Sequence, residues 1–212
     1  MDVSNRIITL DGPAASGKSS VARRVADELN IPFVSSGLLY RAATYLVLES
    51  ATSAADETAV MTLLGQHEVE LIAVPIEANR VQVAGEDVSA ALHTDDVDAA
   101  VSSVAKHPRV RRWVFERLRE TKGDFVVEGR DMGSVVFPQA QHKIYLSAPA
   151  EVRAQRRVGE RSSNLREVTA AIKARDAGDA KQLEPAPDAH HIDTALLSLD
   201  DVVAEVLQRV RG

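Results

Sequence analysis

The sequence predicts an α/β protein: three layers, α/β/α, around a five-stranded parallel sheet, with a small antiparallel insertion and a helical lid. Three observations carry that prediction. A short apolar run passes through a glycine-bounded loop straight into an amphipathic helix within residues 6–29. Four later apolar runs alternate with helical patterns, as a parallel sheet with crossover helices requires. The alternation breaks once, between Asp56 and His107, where short period-two segments appear.

Ile7, Ile8 and Leu10 suit a buried strand. Gly12 to Ser19 then spell G-x-x-x-x-G-K-S, a phosphate-binding loop (P-loop) when it stands between a strand and a helix, as it does before the helical pattern Lys18 to Leu29. Gly12 and Gly17 let backbone N–H groups wrap phosphate oxygens, and Lys18 brings a flexible charge to the outer phosphates. The nucleotide-binding stretch is therefore expected to comprise Gly12, Pro13, Ala14, Ala15, Ser16, Gly17, Lys18, Ser19 and Ser20, with Ser19 as the Mg²⁺ ligand.

Ile31 to Val34 reads as the second strand, followed by a turn at Ser35-Ser36-Gly37 and a helix from Leu38 to Glu49. Tyr40 and Arg41 fall on its first turns, where the helix dipole and a guanidinium face an anion together. Within the insertion, a helix to about Gln66 precedes alternating Val69, Leu71 and Ala73, then Val81 and Val83, with turn residues at Glu77-Ala78-Asn79 and Gly85. Val97, Ala100, Val101 and Val104 mark a helix from Thr94 to Ala105, with Ser102 off the apolar stripe. Pro108 opens a further helix buried through Val110, Trp113, Val114 and Leu118, whose other faces carry Arg109, Arg111, Arg112, Arg117 and Arg119.

The third strand of the main sheet, Phe125 to Val127, ends in Glu128-Gly129-Arg130-Asp131-Met132-Gly133. Open α/β sheets collect ligands at the carboxyl ends of their strands, so this polar cluster is a second site signal. Lys143 to Leu146 forms the fourth strand. A helix then starts at Pro149 and carries Arg153, Arg156 and Arg157, a flexible tip spans Gly159 to Asn164, and a second helix runs to Arg175 and Asp176: a hairpin suited to closing over a triphosphate. His191 to Asp193 is the last strand. Ser198 with Asp201 caps the final helix, with Leu199, Val202, Val203, Val206, Leu207 and Val210 as its buried stripe.

The chain has 212 residues, 45% of them hydrophobic, enough for a substantial core. Asp and Glu number 31 against 25 Lys and Arg, a net charge of −6, which disfavours nucleic acid and anionic membranes as partners. An anionic substrate then needs locally clustered cations. Cysteine is absent, which excludes disulfides and thiol chemistry, and no leader or membrane-spanning run is found, so a cytoplasmic enzyme is expected. His190 and His191 project to opposite faces of a strand, so a structural role is expected for both rather than a shared metal.

A phosphate loop does not choose its acceptor. The N-K-x-D segment of a GTPase is missing. If the acceptor is a phosphate monoester, its oxygen is already anionic and needs no general base. The obstacle is repulsion between two phosphates, which asks for several arginines, Mg²⁺ and the exclusion of water. Arg41, Arg130 and the arginines of the lid meet that demand.

The segments DGPAASGKSS (11–20), SSGLLYRA (35–42), SSVAKHPRVR (102–111), EGRDMGSVVFP (128–138) and IKARDAGD (172–179) resemble the bacterial-type cytidylate kinases, P-loop nucleoside monophosphate kinases, and the likeness spans essentially the whole chain. The resemblance implies one kinase domain over residues 1–212, with acceptor-binding helices and a nucleotide-binding insertion at about 36–107 and a lid at about 153–180. It implies transfer of a phosphoryl group from ATP, with Mg²⁺, to CMP and dCMP, by a monomer. Ser36, Arg41 and Arg130 would hold the acceptor phosphate. Ser102, Arg111 and Asp131 would read the cytosine ring, and Arg175 and Asp179 would approach the ribose. Lys18, Arg130, Arg157 and Arg175 are the candidate catalytic cations. Three departures stand out: Ser35 and Glu128 occupy positions where the family often has Asp, and the family's D-x-x-R after the lid is here Asp179-Ala180-Lys181-Gln182. Lys181 supplies charge there but cannot grip bidentately. The residues leave open a related kinase acting on UMP or shikimate, and a nucleotide-responsive binding module.

Overall fold

In the computed structural model, which describes residues 6–160 and 164–212, the chain divides into two compact units: the described residues to Ile31 together with Gly123–Gly212, and Pro32–Lys122. The main sheet has the order β2 (Phe33–Ser35), β6 (Phe125–Gly129), β1 (Ile7–Asp11), β7 (His142–Ser147), β8 (His190–Asp193). Its central strand, β1 (Ile7–Asp11), is buried at every position because neighbours flank it on both sides. β6 (Phe125–Gly129) pairs parallel to it from Ile7↔Phe125 to Asp11↔Gly129, and β7 (His142–Ser147) from Ile8↔His142 to Asp11↔Tyr145. Strands covered on both faces read as unbroken apolar runs, which is why Ile7–Leu10 and Phe125–Val127 were legible. β8 (His190–Asp193) extends the sheet beyond β7.

α1 (Lys18–Leu29) spans the predicted range and buries Val21, Ala22, Val25 and Ala26. The helix ends on a left-handed Asn30, and the Ile31 N–H returns to the Ala26 carbonyl. Ile31 therefore belongs to the helix cap, and β2 is shorter than the sequence suggests, Phe33–Ser35. α8 (Leu199–Arg211) has the full reciprocal capping box between Ser198 and Asp201. Leu199, expected in its buried stripe, is 40% exposed because the first residue of the helix falls outside the packed face. The adjacent histidines separate as strand geometry demands: His190 meets Glu205 at 3.0 Å, and His191 packs its ring 5.2 Å from that of Tyr145.

The lid sequence forms α6 (Ala150–Glu160) and α7 (Leu165–Gly178). They run antiparallel, since Lys173 pairs with Glu151 at 2.7 Å and Arg153 with Asp176 at 2.6 Å. Of the expected tip, Gly159 to Asn164, residues 161–163 lie outside the described residues, while α6 continues through Glu160 and Asn164 caps α7.

In the Pro32–Lys122 unit, α2 (Ser36–Glu49) begins two residues before the predicted start. Ser35 serves as last strand residue and N-cap at once, so no separate turn intervenes. α3 (Glu57–Gln66) is capped by Asp56, whose carboxylate accepts from the N–H groups of Thr58 and Ala59. The antiparallel sheet comprises β3 (Val69–Ile72), β4 (Arg80–Val83) and a two-residue β5 (Glu86–Asp87) that the alternation did not reveal. Ala84 and Gly85, at φ 50° and 84°, make the tight connection that two positive φ values define. α4 (Asp95–Val104) starts from a Thr94 cap, and α5 (Pro108–Arg119) buries Val110, Trp113, Val114 and Leu118 as predicted.

Asn79 supplies more than a turn. Its side chain is 9% exposed, donates to the Phe33 carbonyl at 2.6 Å and accepts from the Ser35 N–H at 2.9 Å, fastening the β3–β4 connection to β2. Asn79→Ala is expected to cost about 2 kcal/mol, because buried backbone groups lose their partners without regaining water. A fall in the denaturation midpoint at unchanged m-value checks this; an unchanged midpoint would refute it.

Candidate active site

The site is built outward from the end of β1. Gly12 has φ 146°, and a Cβ there would stand 2.1 Å from the Leu146 carbonyl oxygen. Close approach to β7 thus demands this glycine independently of phosphate binding. Ala15 adopts a left-handed φ of 58°, a strain of about 1–2 kcal/mol for a residue with a side chain. Gly17, at φ 90°, caps α1 with no side-chain acceptor, so the opening N–H groups of the helix meet no capping oxygen. That arrangement suits an anion. Ser19 and Ser20 are exposed beside it.

Lys18 corrects an expectation that follows from its place in a loop motif. It is 8% exposed, and its ammonium donates to the Pro13 carbonyl at 2.7 Å. Burial lowers its pKa to about 8, opposed first by Glu128, while Arg130 and Arg175 lower it further. The lysine, both arginines and Glu128 therefore share one electrostatic environment.

Arg130 follows β6. One terminal nitrogen, Nη2, lies 3.1 Å from the Asp179 carboxylate, and Arg175 Nε approaches the same oxygen at 3.8 Å. The other, Arg130 Nη1, is buried with no hydrogen-bond partner among the described residues. A buried guanidinium nitrogen without an acceptor is costly, and an anion is the group that relieves it. Asp131 is 5% exposed and Glu128 7%.

Of the three arginines on α6, two do not face outward as a triphosphate cover would require. Arg153, 5% exposed, donates to the carbonyls of Ala148 and Ala14, both at 2.8 Å, and pairs with Asp176, so its fork ties α6 and α7 to the phosphate loop. Arg156 donates to the carbonyl and hydroxyl oxygens of Thr194. Arg157, one turn beyond Arg153 on the same helix face, is half-buried and makes no hydrogen bond or ion pair with a described residue. Lys181 is exposed on a 3₁₀ turn, Ala180–Leu183, while Gln182 is half-buried with an unpartnered Oε1.

In the other unit Ser36 is buried at the start of α2. Arg41 donates to the Leu92 carbonyl at 2.7 Å and pairs with the Asp98 carboxylate of α4. Arg111 lies over the rings of Tyr40 and Phe115, 5.8 and 5.3 Å from their centroids. Ser102 is exposed on α4. Arg117, by contrast, covers Trp113 at 4.7 Å, a packing role.

Asp11, Asp98 and Asn79 were not anticipated as partners of these groups. Asp11 alone left a readable signal, a carboxylate at the carboxyl end of a strand directly before the first loop glycine.

The family model described as cytidylate kinase matches residues 8–212. A cytidylate kinase from Thermus thermophilus is 52% identical over 205 residues, covering 97% of this chain and 98% of that protein. Another, from Deinococcus radiodurans, is 49% identical over 204 residues, covering 96% and 98%. A shikimate kinase structure from Bacteroides thetaiotaomicron aligns at TM-score 0.50 with 12% identity, covering 98% of this chain and 97% of its own, and so shares the fold alone. With a phosphate loop and an arginine cluster on the same chain as a family match of this extent, the protein belongs to the cytidylate kinase family.

Proposed function

We propose that the protein transfers the terminal phosphoryl group of ATP to CMP and dCMP, giving ADP with CDP or dCDP. The observation that carries this reading is Arg130: a half-buried guanidinium with one buried nitrogen that has no partner among the described residues, and whose charge acts on the phosphate-loop lysine. A protein that only sensed nucleotide would have no use for a second cation there.

The N–H groups of the loop and Lys18 hold the β- and γ-phosphates. The acceptor monoester brings its own anionic oxygen, so no side chain need remove a proton. Arg130 and Arg175 offset the repulsion between donor and acceptor. An incoming phosphate takes Arg130 Nη1 while Nη2 keeps the Asp179 carboxylate, which approaches the ribose. Arg157, the α6 arginine without a described partner, serves the developing charge. Ser36 and Arg41 hold the acceptor phosphate, while Ser102, Arg111 and Asp131 read the cytosine edge. A donor and acceptor set matched to cytosine leaves buried groups unpaired against uracil, the basis of discrimination.

Among the described residues no group of three His, Asp or Glu forms a metal site. A magnesium ion, which keeps water and substrate phosphates as ligands, fits a single exposed hydroxyl such as Ser19. When bound it would neutralise charge on the outer phosphates. No helix among the described residues is long and apolar enough to cross a membrane.

The test is diphosphate formation from ATP and Mg²⁺ with CMP, dCMP, UMP, AMP, GMP and shikimate in parallel, and no acceptor as blank. Turnover concentrated on CMP and dCMP is expected. Equal use of UMP would overturn the base-reading residues, and ATP binding without turnover would overturn the reaction.

A further inference from the structure

β1 delivers one residue to the site that the phosphate-loop motif does not require. Asp11 is the last residue of the central strand and is 6% exposed. Its two carboxylate oxygens divide between consecutive amides: Oδ1 accepts from Met132 N–H at 2.8 Å and Oδ2 from Gly133 N–H at 2.7 Å. Gly133 comes so close that a Cβ on it would stand 2.7 Å from Thr9 Oγ1 and 3.3 Å from Asp11 Oδ2. Carboxylate and glycine are thus a matched pair. The clamped residues open a single π turn, Met132–Val136, in which the Val135 and Val136 N–H groups return to the Asp131 carbonyl. Immediately before it stand Arg130 and Asp131.

Two short bonds to successive amides fix the peptide planes that carry these side chains, from a strand that also begins the phosphate loop. We infer that Asp11 is a positioning residue for phosphoryl transfer, holding the 132–133 backbone so that Arg130 and Asp131 keep their aim relative to the phosphate loop. The inference rests on the kinase reading above.

The fold works against the charge it uses. Burial raises the Asp11 pKa to about 6, the Gly133 and Met132 amides pull it down, Asp131 pushes it up and Lys18 pulls it down. Tyr145 on β7 also feels its charge. A side chain kept only for packing would be better neutral. The two-pronged grip is therefore complete above about pH 6 and weakens below it.

Asp11→Asn tests this, because one prong becomes an NH₂ facing an N–H and must let go. The expected result is a fall in kcat for CMP on the order of 100-fold, the usual cost of a slight misplacement. ATP affinity by calorimetry stays within about threefold, and the melting temperature at pH 8 is not lowered. Asp11→Glu keeps the charge but lengthens the arm and is expected not to rescue kcat; Gly133→Ala pushes the same loop from the other side and gives the same loss. In wild-type protein without nucleotide, where no substrate phosphate titrates, the Gly133 amide resonance is expected to shift with a midpoint near 6, and in Asp11→Asn to stay put. Wild-type kcat in Asp11→Asn, with an active parent, would overturn the inference and leave the kinase reading standing, as would a Gly133 resonance that ignores pH. A wild-type protein that fails to phosphorylate CMP would instead sink the kinase reading, and the catalytic role of Asp11 with it.

Discussion

Lys18→Ala lowers kcat for phosphoryl transfer by on the order of 10²–10³-fold, the range for removing one donor aimed at developing charge, yet leaves the fold close to wild-type stability. The reason is burial, not the exposure that a loop lysine suggests. The lysine is 8% exposed and its pKa is lowered from 10.5 to about 8. A lowering of that size represents a penalty on the charged form of about 3 kcal/mol. Truncation relieves it while giving up the packed stem and the bond to the Pro13 carbonyl, and these offset one another.

The pH dependence has a definite sign. The folded protein releases the Lys18 proton near pH 8 and the unfolded chain near 10.5, so between those values the unfolded state binds more protons. Wild-type stability therefore gains a contribution from this residue as pH rises from about 8 to about 10.5, which the alanine variant lacks. Activity moves the opposite way: kcat/KM for ATP reports the free enzyme and is expected to decline above about pH 8 as the ammonium is lost. Parallel pH profiles of unfolding and of kcat/KM check both. A profile flat to pH 10 would show that the charge on Lys18 is not used.

Arg130→Lys should reduce kcat/KM for CMP by on the order of 10²–10³-fold while ATP affinity changes little. Lysine retains the charge but not the fork. Arg130 gives Nη2 to Asp179 and keeps Nη1 buried and unpartnered, so one side chain has a nitrogen for each of two acceptors. An ammonium is a point charge that pairs with Asp179 or with a phosphate, not with both in the plane of the fork. Steady-state kinetics with both substrates varied, together with calorimetric ATP binding, separates the effects. Loss of ATP affinity equal to the loss for CMP would place Arg130 on the donor side; unchanged CMP kinetics would remove it from the site.

The loss of activity without Lys18 follows from the motif alone; the pH dependence of that lysine and the effect of Arg130→Lys do not, and the contrast marks where sequence reading stops. Lys18, Arg130 and Arg175 were named from G-x-x-x-x-G-K-S, from EGRDMG after a strand, and from the charge on the lid helices. Their electrostatic coupling through Glu128 and Asp11 was not. Arg153 shows the gap most plainly. Spacing put it on a lid helix; the fold turned it inward to the Ala14 carbonyl, 139 residues away in sequence.

What the sequence determined by itself were the features set by local order. Apolar runs located the strands, the 3.6-residue period located the helices and their buried faces, and Pro108 and Ser198 marked helix starts because capping is settled within a turn. The glycine-bounded loop announced phosphate binding for the same reason. Tertiary structure alone decided which buried polar groups meet: Asp11 with the Met132 and Gly133 amides, Arg153 with Ala14 and Asp176, Asn79 with β2. Those pairings depend on strand order and register, and a buried donor or acceptor must find its partner across the sheet, at a sequence distance that no periodicity records.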